Sequence, residues 1–455
     1  MSTTTSVDRP RASAAEAPLT LERPADRSLG FRHSAALFGS LGVSLLLPVA
    51  AVFVLLPGEP LSTTVLAIVV GTVIGATLLG LGAAPGAREG APSMVLLRGL
   101  LGGRVSYVPT ALNVAQCIGW ATFEIVIIAE AASRVLDAPR WPFVLAAGAL
   151  ATAMALRPLG VVRLLTRYAV WLALAAVAYL FVRVLATPLP NGPVEAGSAA
   201  SFWTAVDVVI ALPVSWIPLA ADYTRHVRSG RAAGVGAAVG YGAANVAMFL
   251  LGAVALVALG AGGFDVIDAL LAVPLGALAL LVLVVVEVDE AFANVYSTAV
   301  SAQNVAPRLD RRWLALGVGA AATLLALTLD VMAYEPFLFL IDSVFVPLVG
   351  VLVVTYYLLP RGPWDVSPDA PARPALLLPW AAGFVAYQLT LPTFFTGPGA
   401  GWTAWWGARQ ADLGIDPANG LSASLVSLLV ASALTVAVAG PGALRARQER
   451  REAAA

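Results

Sequence analysis

The sequence predicts an all-α integral membrane protein with twelve transmembrane helices, and three observations carry that prediction. Of 455 residues, 59% are hydrophobic and 12% charged, with a mean hydropathy of +0.85. That is more apolar than a water-facing surface allows. The apolar runs repeatedly reach the roughly 20 residues a helix needs to cross a bilayer. The arginines then alternate with the runs. There is no lysine, and with a cytoplasmic N-terminus only Arg134, Arg140, Arg183 and Arg409 face outward, against 23 on the inside. This is the asymmetry of the positive-inside rule, and a missed span would scramble it downstream.

Residues 1–28 are rich in Ser, Thr, Ala, Pro and Arg without an apolar core, and read as a disordered cytoplasmic tail. Spans one to five follow at about 31–56, 63–84, 106–133, 141–157 and 163–186. Spans six to ten lie at about 202–222, 233–261, 272–302, 313–333 and 336–358, and spans eleven and twelve at about 374–393 and 420–440. Residues 441–455 form a second cytoplasmic tail, which places the protein in the cell membrane with both termini inside. Between the last two spans, 394–419 carries Phe394, Phe395, Trp402, Trp405 and Trp406 and reads as an interfacial loop. Zero net charge gives no footprint for nucleic acid. The single Cys117 excludes an internal disulfide, and His33 and His226, both at span ends, argue against a histidine metal centre.

Span six is the most unusual. It holds Pro213, Trp216 and Pro218 ahead of Asp222, Tyr223, Thr224 and Arg225. A proline lacks the N–H that a helix needs and clashes with the preceding turn, so two of them predict an interruption. In hydrocarbon a broken helix is tolerated only beside protein or a wet cavity, and secondary carriers build their sites this way.

Carboxylates inside a membrane are expensive and therefore candidate sites. On span three Gln116, Trp120 and Glu124 share one helix face. They offer a flat apolar plate beside hydrogen-bonding groups, which suits a planar polar heterocycle. Trp216 supplies a second plate. On span eight Glu287, Glu290 and Asn294 form one stripe while Asp289, Phe292 and Tyr296 form another. One stripe is expected to face substrate and the other a cation, with Asp289 as a hard oxygen donor for sodium or a proton carrier. Blander readings stand beside these. A mid-span tryptophan is often simple packing, Asp222 and Arg225 suit a helix-end pair or gate, Glu130 reaches the interface, and Glu287 and Glu290 suit an outer vestibule. Asp342 in span ten has no assigned role.

Gly119-Trp120, the block from Ser215-Trp216-Ile217-Pro218 to Asp222-Tyr223-Thr224-Arg225, Ala293-Asn294-Val295-Tyr296-Ser297, and Gly350-Val351 to Tyr356-Tyr357 together resemble the nucleobase:cation symporter-1 family. Its members carry purines, cytosine, hydantoins, allantoin and hydroxymethylpyrimidine, and the resemblance leans to the cytosine and hydroxymethylpyrimidine branch. It implies two inverted five-helix repeats, residues 29–187 and 200–358, with spans eleven and twelve (374–440) appended. It further implies that spans one and six are discontinuous, with the break of span one, Gly39 to Ser44 and Pro48, the weaker. By this resemblance Trp120 and Trp216 stack the ring and Glu124 and Asn294 hydrogen-bond it. It also places a cation between span one near Gly42 to Leu46, with Ser44, and span eight near Val285, Val288 and Asp289. Gln116, by its spacing, and Ser215, beside Trp216, complete the expected substrate site. Val288 and Asp289 depart from the small hydroxyl residues usual in sodium-coupled members.

The expected function is import of cytosine, hydroxymethylpyrimidine or a related purine, allantoin or hydantoin by sodium or proton symport. No cofactor and a monomeric carrier are expected. An amino-acid carrier on the same scaffold is the first alternative, disfavoured by the paired indoles. An intramembrane enzyme is the second, disfavoured because no nucleophile, metal-ligand or histidine cluster is present.

Overall fold

The computed structural model describes residue 21 and residues 25–454, apart from 161–167, 169, 190–191, 260–265, 330–333, 360–361, 396 and 417–419. Most of the expected N-terminal tail and the start of span five lie outside the described residues. Among the described residues every regular element is helical, with one parallel bridge between Leu29 and Val227.

Span one is split into α1 (Phe31–Leu41) and α2 (Leu46–Ala50), which a 3-10 turn extends to Phe53. The two halves meet at 55°. After it come α3 (Leu61–Glu89), α4 (Ser93–Leu101), α5 (Tyr107–Leu136), α6 (Arg140–Ala155) and α7 (Val170–Leu185). Span six is α8 (Phe202–Ser215) and α9 (Ile217–Thr224), followed by α10 (Gly230–Leu259), the short α11 (Val266–Ala272), α12 (Gly276–Ala302) and α13 (Arg311–Ala326). The chain closes with α14 (Tyr334–Val353), which ends in a π turn, then α15 (Leu377–Thr390), α16 (Ala400–Asp412) and α17 (Ala423–Ala454). Among these, α3, α5, the α8–α9 unit, α10, α14 and part of α17 are each long and apolar enough to cross a bilayer, and the bent α1–α2 pair makes a seventh span.

The two broken spans differ from expectation in degree. Span six runs on almost without interruption, because Trp216 keeps helical angles (φ −81, ψ −16) and Pro218 falls in the first turn of α9. A proline there forfeits an N–H that would have no partner anyway. Span one carries the sharper break, with no proline between Gly42 and Leu45 to announce it. Gly42 lies so close to α10 that a Cβ would sit 2.8 Å from the Cβ of Ala244. Two further segments are more helical than expected: α16 replaces the interfacial loop, and α17 continues past 440 to Ala454.

Small residues on α3 set the position of span six. A Cβ at Gly75 would lie 2.4 Å from Pro213, and one at Gly82 would lie 2.3 Å from Ile217. Only glycine lets the two helices approach this closely. On the other side α12 packs against α5, α6 and α13. Every residue from Val286 to Ser301 is buried, so this helix has no lipid face along that stretch. Both of its predicted polar stripes therefore point into protein.

Candidate functional site

Four helical segments converge on one enclosed space. Trp120 and Glu124 come from α5, Leu212 and Ser215 from α8, Trp216 from the junction with α9, and Glu290 and Asn294 from α12, while Ser44 and Leu46 come from the break in span one. They surround a narrow cleft of about 10 Å³, roughly the room of one water molecule. Glu124 is 1% exposed and Glu290 3%.

Each side chain is held by ordinary packing. Gly119 makes room for the Phe337 ring, which a Cβ would approach to 2.6 Å. Trp120 is then bracketed edge-on by Phe337 at 5.3 Å and Tyr334 at 5.9 Å between ring centroids. Trp216 leans on Tyr241 at 6.3 Å. Edge contacts of this kind fix the ring planes, leaving the Trp120 Nε1–H buried with no acceptor. Ser215 donates to the carbonyl of Leu212 at 2.7 Å, and Asn294 Nδ2 donates to the carbonyl of Glu290 at 3.1 Å.

Behind the cleft, carboxylates of α12 latch both halves of span one. Ser44 Oγ donates to Glu287 Oε1 at 2.7 Å, and the freed backbone N–H of Leu45 donates to Glu287 Oε2 at 2.8 Å. Ser40 Oγ donates to Asp289 Oδ2 at 2.6 Å. The orphan amide that the break creates is thereby satisfied inside the membrane, as hydrocarbon demands. One oxygen each from Glu124, Glu287 and Glu290 lie within 4.8 Å of one another.

The structure brings Trp120, Glu124, Trp216, Asn294 and Ser215 together. Gln116 stands apart from them. It donates to Asn113 Oδ1 at 2.9 Å and to the carbonyl of Ser215 at 3.3 Å, which secures α5 to the span-six junction. It borders a separate apolar pocket beside Val108, Phe337 and Trp380. Of the cation candidates, Ser44, Gly42 and Asp289 lie around the break, and Val288 is buried with only an apolar side chain. Val285 does not join them: it is 70% exposed, on the outward face of α12, while its neighbours Val284 and Val286 are buried.

Ser40, which reaches Asp289, is not among the expected site residues; its only sequence signal is its place in the Gly-rich start of span one. The expected Asp222–Arg225 pair is also replaced. Asp222 accepts from the backbone of Ser93 at 2.9 Å and caps α4, while Arg225 donates to the Tyr296 hydroxyl at 3.1 Å. Glu130 forms an ordinary pair with Arg134 at 3.1 Å. Asp342 accepts from Ser424 Oγ at 3.2 Å.

The family model for permeases of cytosine/purines, uracil, thiamine and allantoin matches residues 58–370. No curated protein sequence matches the chain. Among solved structures, Mhp1, described as a nucleobase-cation-symport-1 family transporter in a closed conformation with bromovinylhydantoin bound, superposes with a TM-score of 0.73 at 16% identity over 95% of each chain. The inward-facing conformation of Mhp1 gives 0.65 at 17% identity over 94% of each chain. A substrate-bound, outward-open Na+-coupled sialic acid symporter gives 0.62 at 10% identity over 92% of each chain. At these identities the likeness is one of fold. The family match covers most of the chain, and with it the chain belongs to the nucleobase:cation symporter-1 family of permeases, a multi-pass membrane transporter and not an enzyme.

Proposed function

We propose that the protein imports a small nucleobase-like heterocycle, with cytosine or hydroxymethylpyrimidine the foremost substrates, by cation symport across the cell membrane. The carrying observation is the cleft itself. Two indoles from different helices, Trp120 and Trp216, line it together with Glu124, Ser215 and Asn294. Stacking of a base on an aromatic ring is worth about 1–3 kcal/mol, and the polar groups beside the plates would orient the ring edge.

In this reading spans one to five and six to ten form two inverted repeats, residues 29–187 and 200–358, with 374–440 appended and both termini cytoplasmic. The proposed working unit is a monomer. The repeats rock about the cleft in alternating access.

The hydrogen bonds around the break favour a proton over sodium as coupling ion. Sodium needs several free oxygen ligands, as hard cations do. Here hydroxyl and amide donors already point at three of the four carboxylate oxygens of Glu287 and Asp289. Radiolabelled cytosine and hydroxymethylpyrimidine uptake into proteoliposomes, with sodium and pH gradients imposed separately, tests both parts. Accumulation driven by the pH gradient alone is expected. Accumulation of neither compound under either gradient would sink the substrate reading, and a strict sodium requirement would reverse the choice of ion.

A further inference from the structure

We propose that Asp207 and Asp342 form a proton-binding site apart from the cleft, in which Asp342 carries the proton and Asp207 the negative charge. The site does not depend on which substrate the protein carries.

The two carboxyl groups come from different membrane-crossing helices, Asp207 from α8 and Asp342 from α14, and neither has any exposed surface. Ser424, at the start of α17, joins them. Its backbone amide donates to Asp207 Oδ1 at 3.2 Å, and its hydroxyl donates to Asp342 Oδ2 at 3.2 Å. A charge buried in hydrocarbon is costly unless an opposite charge meets it, and here none does. Among the described residues the titratable groups facing Asp342 are Asp207 and, from α15, Tyr387. At this level α17 offers only hydroxyls and amides, its charged residues beginning at Arg445. The packed α3 brings Arg88 and Glu89 to the far end of α14, where both meet Tyr356. Glu335, on α14 itself, stands two turns away and is partly exposed. Two carboxylates sharing one dry site without a cation cannot both be ionised, so one of them holds a proton.

The hydrogen bonds assign it. Asp207 accepts three, from Ser422 Oγ and from the backbone amides of Ala423 and Ser424, so both of its oxygens are occupied. Those amides open α17, and the partial positive charge of a helix N-terminus favours an anion there. Asp342 receives only the bond from Ser424, and its Oδ1 has no partner. The neighbouring Tyr387 hydroxyl is fully buried and equally unpaired. A proton on Asp342 Oδ1 removes the second charge and provides a donor for the Tyr387 oxygen. It also lets α8, α14 and α17 meet at one point without like charges opposed across Ser424. The packed arrangement and the bound proton therefore favour one another.

Infrared spectroscopy of the purified full-length protein at neutral pH reads the proton directly, through the C=O band of carboxylic acids. Asp342→Asn should remove one component of that band. Asp207→Asn should remove none, because Asp207 is already ionised. Tyr387→Phe keeps both carboxyl groups and should shift the same component, since its hydrogen-bond partner is lost. Protection of Cys117 from a thiol-reactive dye during heating verifies that each variant keeps its fold. An acid band unchanged by Asp342→Asn would show Asp342 ionised and overturn the inference. Loss of the component in Asp207→Asn would place the proton on the other carboxyl, and a carboxylate band that responds to sodium and disappears with Asp342→Asn would replace the proton with a metal ion; either result also overturns it.

Discussion

The latch between Glu287 and span one supports a prediction that separates the need for an acceptor from the need for a charge. Glu287→Ala removes the partners of both Ser44 Oγ and the Leu45 amide, held at 2.7 and 2.8 Å. Each donor left buried without its partner costs about 1–3 kcal/mol, so the expected loss is about 2–5 kcal/mol. Glu287→Gln retains a carbonyl oxygen for the Leu45 amide, and its amide group can donate to Ser44 once that hydroxyl rotates. Its cost should stay near 1 kcal/mol. Cys117 is fully buried in α5, so its alkylation by a thiol-reactive dye during heating reports loss of the core. A loss of 3 kcal/mol raises the unfolded population more than 100-fold at a given temperature, because each 1.4 kcal/mol is a factor of ten. Glu287→Ala should therefore melt well below the wild type, with Glu287→Gln close to it. If the alanine variant melts with the wild type, the latch does not hold the break. If glutamine falls as far as alanine, charge and not hydrogen bonding holds span one.

Three further outcomes follow from the same structure. Trp216→Ala should weaken cytosine binding by about 5- to 150-fold, the range expected for one lost stacking face, whereas Trp203→Ala, outside the cleft, should leave it nearly unchanged; equal effects in equilibrium binding would remove the stacking argument. Asp289→Asn keeps an acceptor for Ser40 but no ionisable group, so substrate should still bind and equilibrate while no longer accumulating against its gradient in proteoliposomes; undiminished accumulation would take Asp289 out of the coupling step. His226, just past α9, is pushed down to about 3 by burial and by neighbouring Arg225. It stays neutral in the folded protein but titrates near 6.5 when unfolded. The folded protein therefore loses no stability through this group above about pH 6.5 and loses progressively more as pH falls toward 3, about 2 kcal/mol by pH 5. His226→Gln should melt with a weaker acid dependence than the wild type between pH 7.5 and 5, and identical dependences would assign the slope to other groups.

The sequence disclosed the elements whose cause is local. Trp120 and Glu124 share a helix face because they are four residues apart, and the glycine before them announces a close neighbour. The two prolines of span six were equally visible, yet their effect was overestimated. Pro218 falls where a helix start tolerates it, and the glycines of α3 hold the junction nearly straight. The break in span one is the opposite case. Gly42 to Leu45 looks unremarkable alone, and the bend is stabilised by Glu287 and Asp289, more than 240 residues away in the chain. Long-range partners also explain Gln116, which spacing placed under Trp120 but which the Ser215 carbonyl captures. Periodicity states which residues share a face, and only the tertiary arrangement decides what that face meets.

One buried cluster of hydrogen bonds ties the last long helix to span six. Asp207, in the first half of span six, accepts from Ser422 Oγ and from the backbone amides of Ala423 and Ser424, and so caps the last long helix. Asp342 on α14 holds the same Ser424. The last long helix is thus held by both span six and α14, so any tilt of span six would be transmitted to it as a lever. Shortening the chain before Ser422 would free that lever as well as remove a span.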